Sequence, residues 1–141
     1  MAISGIDTTN ANMATKIGNP VIYNLPTPAV YGTGNQTYLA SDIVGSIILH
    51  PASGGASNGQ LPTAPAIAAL LRSISGNQMA IGDTVACTIV NNGGNALTLV
   101  VGAGMSFDAG GNGTIPANNS KWCQFRFNGV VPGSETCIVY S

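Results

Sequence analysis

The chain has 141 residues, of which 45% are hydrophobic and only 6% are charged, and its formal net charge is −1. This length suits one domain with a core of its own. Its four basic residues are too few to neutralise a run of phosphates, so nucleic-acid binding is excluded as the main role. No apolar run approaches the roughly 18 residues that span a bilayer, so no membrane partner is expected.

The scarcity of charge has two explanations. Average soluble domains carry about one charged residue in four, and a solitary protein needs them for solubility. One explanation is a stable β protein whose surface presents neutral hydroxyl and amide groups. The other is a surface covered by identical subunits or a larger lattice, where unpaired charges are costly to bury. We favour the second, which predicts a symmetric oligomer.

Residues 1–36 are predicted to form an extended N-terminal arm. Asn19-Pro20 and the segment Leu25-Pro26-Thr27-Pro28 favour extended backbone and oppose a helix. The arm would become ordered by lying on another surface, and a mobile terminus or a first edge strand is the alternative. The expected contacts with that surface or with another subunit are made by spaced apolar residues: Ile17, Val21, Ile22 and Tyr23.

The first seven residues, Met1 to Asp7, contain neither a basic region nor an apolar signal core. The sequence therefore predicts a protein that is made and used in a cytoplasm without export.

Residues 37–141 are predicted to form a mainly β domain with one short helix. Residues 38–49 favour one or two strands. The helix is predicted from Thr63, which is placed to cap it, to Gly76, which would end it. Four apolar residues at helical spacing would pack on a sheet: Ile67, Leu70, Leu71 and Ile74.

Beyond Gly82 the apolar residues alternate with period two, which is typical of half-buried strands. Asn91-Asn-Gly-Gly94 predicts a hairpin between the strands on either side of it. The three cysteines, Cys87, Cys123 and Cys137, fall in the apolar phase of their strands, so buried and reduced thiols are expected. Short strands separated by such turns suggest a sandwich or a barrel.

Trp122 and Arg126 share one face of a predicted strand, with Gln124 between them. Tryptophan and arginine dominate interaction hot spots, so this face is a candidate contact with a binding partner or with another subunit. The alternative is a partly buried face on which Arg126 pairs with Asp83 or Glu135.

Neither an active site nor a metal site is predicted. The single histidine, His50, is followed by proline in a Gly/Ser-rich loop, and the cysteines are expected to point inward. The acids are far apart in sequence, and no Cys/His spacing matches a zinc site. We therefore expect a protein that is not an enzyme and that uses no cofactor.

The second half contains a recurring pattern. Its segments are LPTAPAIAALL from Leu61, GDTV from Gly82, TIVNNG from Thr88, LTLVVGAGM from Leu97, IPANNSKW from Ile115 and PGSETCIVY from Pro132. Residues 60–141 thus resemble the β-sandwich modules of virion surface proteins: capsid decoration proteins, head fibres and tail-fibre tips of tailed bacteriophages, and some large-virus structural proteins. The resemblance implies a trimeric, jelly-roll-like module without catalytic residues.

These observations together predict a capsid decoration (cement) protein. It would act on the outer surface of the virion, assembled in the host cytoplasm, as a homotrimer that binds the major capsid protein. Three arms per trimer would multiply modest contacts. The alternative is a receptor- or glycan-binding tip domain of a phage fibre.

Overall fold

A computed structural model describes residues 27–44 and 47–141 of the chain. Within these residues the chain forms ten strands and two helices. The strands are β1 (Ala29–Val30), β2 (Gln36–Thr37), β3 (Ile47–Leu49), β4 (Ser57–Gln60), β5 (Thr84–Asn91), β6 (Leu97–Val100), β7 (Met105–Phe107), β8 (Thr114–Ile115), β9 (Asn119–Gly129) and β10 (Thr136–Tyr140). The helices are α1 (Ala40–Ile43) and α2 (Ala64–Ser75).

The strands form two sheets that share one hydrophobic core. Sheet A has six strands in the order β1-β3-β5-β9-β10-β7, and sheet B has four in the order β2-β4-β6-β8. The largest wholly buried apolar side chains come from both sheets, the helices and the loops: Tyr38, Ile43, Ile48, Leu61, Ile67, Ile89, Leu97, Ile115, Phe125 and Phe127. The prediction of a mainly β domain is therefore confirmed.

The first six strands alternate between the two sheets, so that the chain winds about two and a half times around the core. β1, β3 and β5 are mutually parallel in sheet A, and β2, β4 and β6 are mutually parallel in sheet B. β9 then adds antiparallel to β5, and β10 antiparallel to β9. Both sheets are thus mixed. The jelly-roll topology is not confirmed, because such folds are built from antiparallel Greek keys.

The predicted alternation of strands β5 and β9 is confirmed. Cys87 lies opposite Cys123 and Val85 opposite Phe125 in an antiparallel register. The cysteines and the phenylalanine point into the core, while the residues between them face outward. Cys87, Cys123 and Cys137 are all buried and unpaired, as their phase in the sequence predicted.

The predicted helix is confirmed as α2, which packs against α1 and β10. Thr63 Oγ1 accepts a hydrogen bond from the Ala66 N–H at 3.2 Å, and Gly76 ends the helix in a left-handed conformation (φ 71°). The buried stripe begins at Ala64 and includes Ile67. Ile74 is 66% exposed, so its predicted place in the core is wrong. The last three residues of the helix, 73–75, are all exposed.

The hairpin predicted at Asn91-Asn-Gly-Gly94 is wrong, because β5 belongs to sheet A and β6 to sheet B. Asn91 is wholly buried and makes this corner between the sheets. Its Oδ1 accepts hydrogen bonds from the N–H groups of Ala52 and Gly93. Its Nδ2 donates to three carbonyl oxygens at 2.8–3.1 Å, those of Asn95, Ile115 and Pro116.

Residues 38–49, predicted as strands, divide between a helical turn and a strand. α1 replaces the first of these strands, and β3 follows it. The Asp42 carboxylate accepts hydrogen bonds from the Leu39 N–H at 2.8 Å and from the Tyr31 hydroxyl. These local hydrogen bonds satisfy backbone groups that would otherwise pair with a neighbouring strand. Such competition favours the helical turn over a strand.

Candidate functional site

The side of sheet A that faces away from the core is an extended surface, which we call the outer face. In each register pair, partners across neighbouring strands lie on the same side of the sheet. The outer face therefore comprises Val30, Ile47, Leu49, Thr84, Ala86, Thr88, Val90, Ser106, Ser120, Trp122, Gln124, Arg126, Thr136, Ile138 and Tyr140. More than half of these residues are apolar or aromatic, which is unusual for a sheet surface open to water.

Trp122 and Arg126 both lie on the outer face, as the sequence predicted. Trp122 is opposite Thr88 on β5, and Arg126 lies between Thr84 of β5 and Ile138 of β10. The two residues are four positions apart along β9, a distance of about 13 Å. Trp122 is 57% exposed. A large aromatic ring and a guanidinium group are thus both accessible on the same face of β9.

Arg126 is the single charged side chain of the outer face. The predicted alternative, an ion pair of Arg126 with Asp83 or Glu135, is wrong for the described part of the chain, where the one ion pair joins Arg72 to Glu135. The Asp83 carboxylate instead accepts a hydrogen bond from the Ala80 N–H at 2.8 Å. The charge of Arg126 is therefore available to a partner.

The arm residues predicted to make contacts, Ile17, Val21, Ile22 and Tyr23, lie outside the described residues. The described chain begins at Thr27, two residues before β1, which is an edge strand of sheet A. Val30 of β1 is 73% exposed on the outer face. Residues 29, 30 and 36 of the predicted arm thus lie in strands of the two sheets, and the part of the chain before Thr27 enters the domain at one edge of this face.

A shallow groove beside the outer face was not predicted from the sequence. It has a volume of about 220 Å³ and is lined by residues of α2, of the loop after it and of the start of β5, including Leu71, Ile74, Met79 and Thr84. Thr84 belongs to both surfaces, so the groove adjoins the Arg126 end of the face. The helical periodicity did identify Ile74 as apolar, but only the packing of α2 shows that it is exposed.

A second hollow, with a volume of about 360 Å³, lies at the opposite end of β9. Its lining includes the carboxamides of Asn92, Asn118 and Asn119 and the hydroxyl of Ser120, together with the apolar side chain of Val90. Ser120 is two residues from Trp122 on the outer face. This hollow therefore places uncharged polar groups close to Trp122.

The residues with catalytic potential are held in structural contacts. His50 is wholly buried, with Nδ1 at 2.7 Å from the Tyr38 hydroxyl and Nε2 at 2.7 Å from the Gly34 carbonyl oxygen. A carbonyl only accepts, so Nε2 carries a proton and donates a hydrogen bond to Gly34, while Nδ1 and the Tyr38 hydroxyl share the second hydrogen bond. Burial raises the pKa of Cys123 to about 11 and that of Cys137 to about 12, which keeps these thiols protonated and unreactive.

Residues 27–44 and 47–141 contain no group of three or more His, Cys, Asp or Glu side chains that could hold a metal ion. No helix in these two stretches is long and apolar enough to cross a membrane. No protein-family model, no curated protein and no solved structure matches the chain.

Proposed function

We propose that this chain is a structural virion protein that decorates and stabilises a viral capsid as a symmetric oligomer, a homotrimer bound to the major capsid protein. The observation that supports this proposal is the outer face of sheet A. It is broad and rich in Val, Ile, Trp and Tyr side chains, and Arg126 is its single charge.

Such a face suits burial against another protein. Monomeric proteins seldom expose contiguous apolar patches above a few hundred Å², and larger patches mark interaction sites. The cores of protein interfaces are depleted of charge and enriched in Trp, Tyr and Arg. Trp122, Tyr140 and Arg126 give the outer face this composition.

A capsid surface is the proposed setting for two reasons. The chain resembles virion surface modules, and it has few charged groups that would repel one another when copies pack closely on a lattice. A three-fold oligomer would present three copies of each contact, and this multivalency converts weak single contacts into firm attachment. The proposal includes a relationship between this domain and jelly-roll-like modules. The domain would differ from an antiparallel jelly roll in the parallel winding of β1 to β6.

The proposal is tested with the intact protein and the expanded, empty capsids of the virus that encodes it. Sedimentation at micromolar concentration should show a trimer, and a cryo-electron-microscopy reconstruction should show it at three-fold positions. Trp122→Ser should weaken assembly or attachment. Ile81→Ser is the matched control, because Ile81 is 69% exposed but lies outside the outer face. A stable monomer that leaves the capsids bare contradicts the proposal.

A glycan-binding tip domain of a phage fibre is the second candidate. It is supported by the exposed Trp122 ring, whose flat face could stack on a sugar. The hollow lined by Asn92, Asn118 and Ser120 lies beside this ring. Amide and hydroxyl groups of this kind hydrogen-bond neutral hydroxyls. Binding to a glycan array that is lost in Trp122→Ser, by a protein that does not bind capsids, would favour this candidate.

A further inference from the structure

The N-terminal segment is long relative to the face that it adjoins. Residues 1–26 precede the described chain, and their extended length reaches about 85 Å. Sheet A has six strands, whose five spacings of about 4.8 Å make a width of about 24 Å. The segment can therefore cross the outer face of a neighbouring copy completely.

The chemistry of the segment matches that of the outer face. Its apolar residues Ile17, Val21, Ile22 and Tyr23 occur within seven positions, and its two charges, Asp7 and Lys16, balance each other. The face offers Val, Ile, Trp and Tyr side chains together with one cation, Arg126. Burying such a segment on this face desolvates few charges, and Asp7 is an acid that Arg126 could pair with.

We infer that the outer face of sheet A is the docking site for residues 1–26 of a second copy of this chain, so that the oligomer is held together by exchanged arms. The inference rests on the symmetric oligomer of the proposed function and identifies the contact that builds it. In this arrangement, Trp122 and its neighbours on the outer face contact four apolar residues of the segment: Ile17, Val21, Ile22 and Tyr23.

The route of the chain favours another copy over the segment's own domain. Six Cα–Cα steps lead from Tyr23 to the start of β1 at Ala29, and fully extended they span about 20 Å. β9 is the third strand from β1, about 14 Å away, so a path from Tyr23 to the chain's own Trp122 would need at least about two-thirds of this length. It would also need a reversal, which Pro26 and Pro28 oppose by restricting the residues before them to extended backbone.

The test uses the full-length protein with the photoreactive substitution Tyr23→benzoylphenylalanine. Copies labelled with heavy isotopes are mixed with unlabelled copies, allowed to exchange and irradiated. Mass spectrometry should then find residue 23 cross-linked to the β5 or β9 peptides in heavy-light pairs. Cross-links confined to the same copy, cross-links to other surfaces, or no cross-links overturn the inference.

A double-mutant cycle gives a second measurement. Ile22→Ser and Trp122→Ser should each raise the dissociation constant of the oligomer about tenfold, and Ile81→Ser should leave it unchanged. Because the inference places the two side chains in one contact, the double variant should be weakened far less than the hundredfold product. Additive effects overturn the inference, and urea unfolding checks that each variant remains folded.

The two proposals fail in different ways. If the oligomer binds capsids but no cross-link forms between the arm and the outer face, the exchanged arm is contradicted and the decoration function is not. A monomeric protein that does not bind capsids removes both.

Discussion

The Arg72 guanidinium and the Glu135 carboxylate form a buried ion pair between α2 and the turn that joins β9 to β10. Glu135 is 1% exposed and Arg72 17%. Arg72 also donates a hydrogen bond to the Val130 carbonyl oxygen at 2.8 Å. The second carboxylate oxygen, Oε2, is buried without a hydrogen-bond partner among the described residues. The pair thus links the helix to the last two strands of sheet A.

Arg72→Met should destabilise the fold by about 3 kcal/mol, because removing one partner leaves a buried charge uncompensated. The free energy of unfolding in urea at pH 7 is the measurement. Lys121→Met is the control, since it removes a cation whose contacts are exposed and should cost less than about 1 kcal/mol. Equal effects of the two substitutions would show that the buried pair contributes nothing beyond a surface contact.

The stability of the protein should decrease at acid pH because the Glu135 carboxylate becomes protonated. Burial raises the pKa of this carboxyl, but the hydrogen bond and the charge of Arg72 outweigh burial, so the pKa lies below its usual value of 4.5. A pKa lowered by folding contributes stability above the unfolded value and loses it as the pH falls toward the folded value. Between about pH 5 and pH 3 the unfolding free energy of the wild type should therefore decrease more steeply than that of Glu135→Gln. Parallel pH profiles would contradict this assignment.

Asn91→Ala should be far more damaging than Asn92→Ala at the neighbouring position. The Asn91 side chain makes five hydrogen bonds at the corner between the sheets, and each buried group left without a partner costs about 1–3 kcal/mol. Asn92 is exposed, so its substitution should change the free energy of unfolding by less than about 0.5 kcal/mol. Urea unfolding of both variants checks this prediction. Similar decreases in the free energy of unfolding would contradict the structural role of Asn91 at the corner.

The three thiols should be unreactive in the native protein. Cys87, Cys123 and Cys137 are buried, and burial raises the pKa of each thiol above its usual value, so the reactive thiolate is scarce even at pH 8. Dithionitrobenzoate should label three thiols in guanidinium chloride and none within minutes in buffer. Rapid labelling of the native protein would mean that sheet A opens readily or is packed differently.

Trp122 should report assembly by its fluorescence. It is the only tryptophan in the chain and is 57% exposed in the single chain, so its emission should shift to shorter wavelength when the outer face is covered. Dilution from micromolar to nanomolar concentration should reverse the shift in step with sedimentation. Emission that stays unchanged while the protein dissociates would place the subunit contact elsewhere.

The β composition, the capped helix α2, the inward phase of the cysteines and the shared face of Trp122 and Arg126 all follow from the sequence. Each depends on residues a few positions apart, and the period of two in a strand or 3.6 in a helix orients neighbouring side chains irrespective of the rest of the fold. The capping of α2 by Thr63 and Gly76 is local in the same way.

Only the tertiary structure decided which strands pair. Asn91-Asn-Gly-Gly94 has the composition of a hairpin, yet the carboxamide of Asn91 finds partners at positions 52, 95, 115 and 116 and directs the chain into the other sheet. Arg126 could have paired with Glu135, but the packing of α2 brings Arg72 there instead. Such choices depend on contacts between distant segments, whose relative positions no local periodicity specifies, and they leave the outer face of sheet A exposed with Arg126 as its single charge.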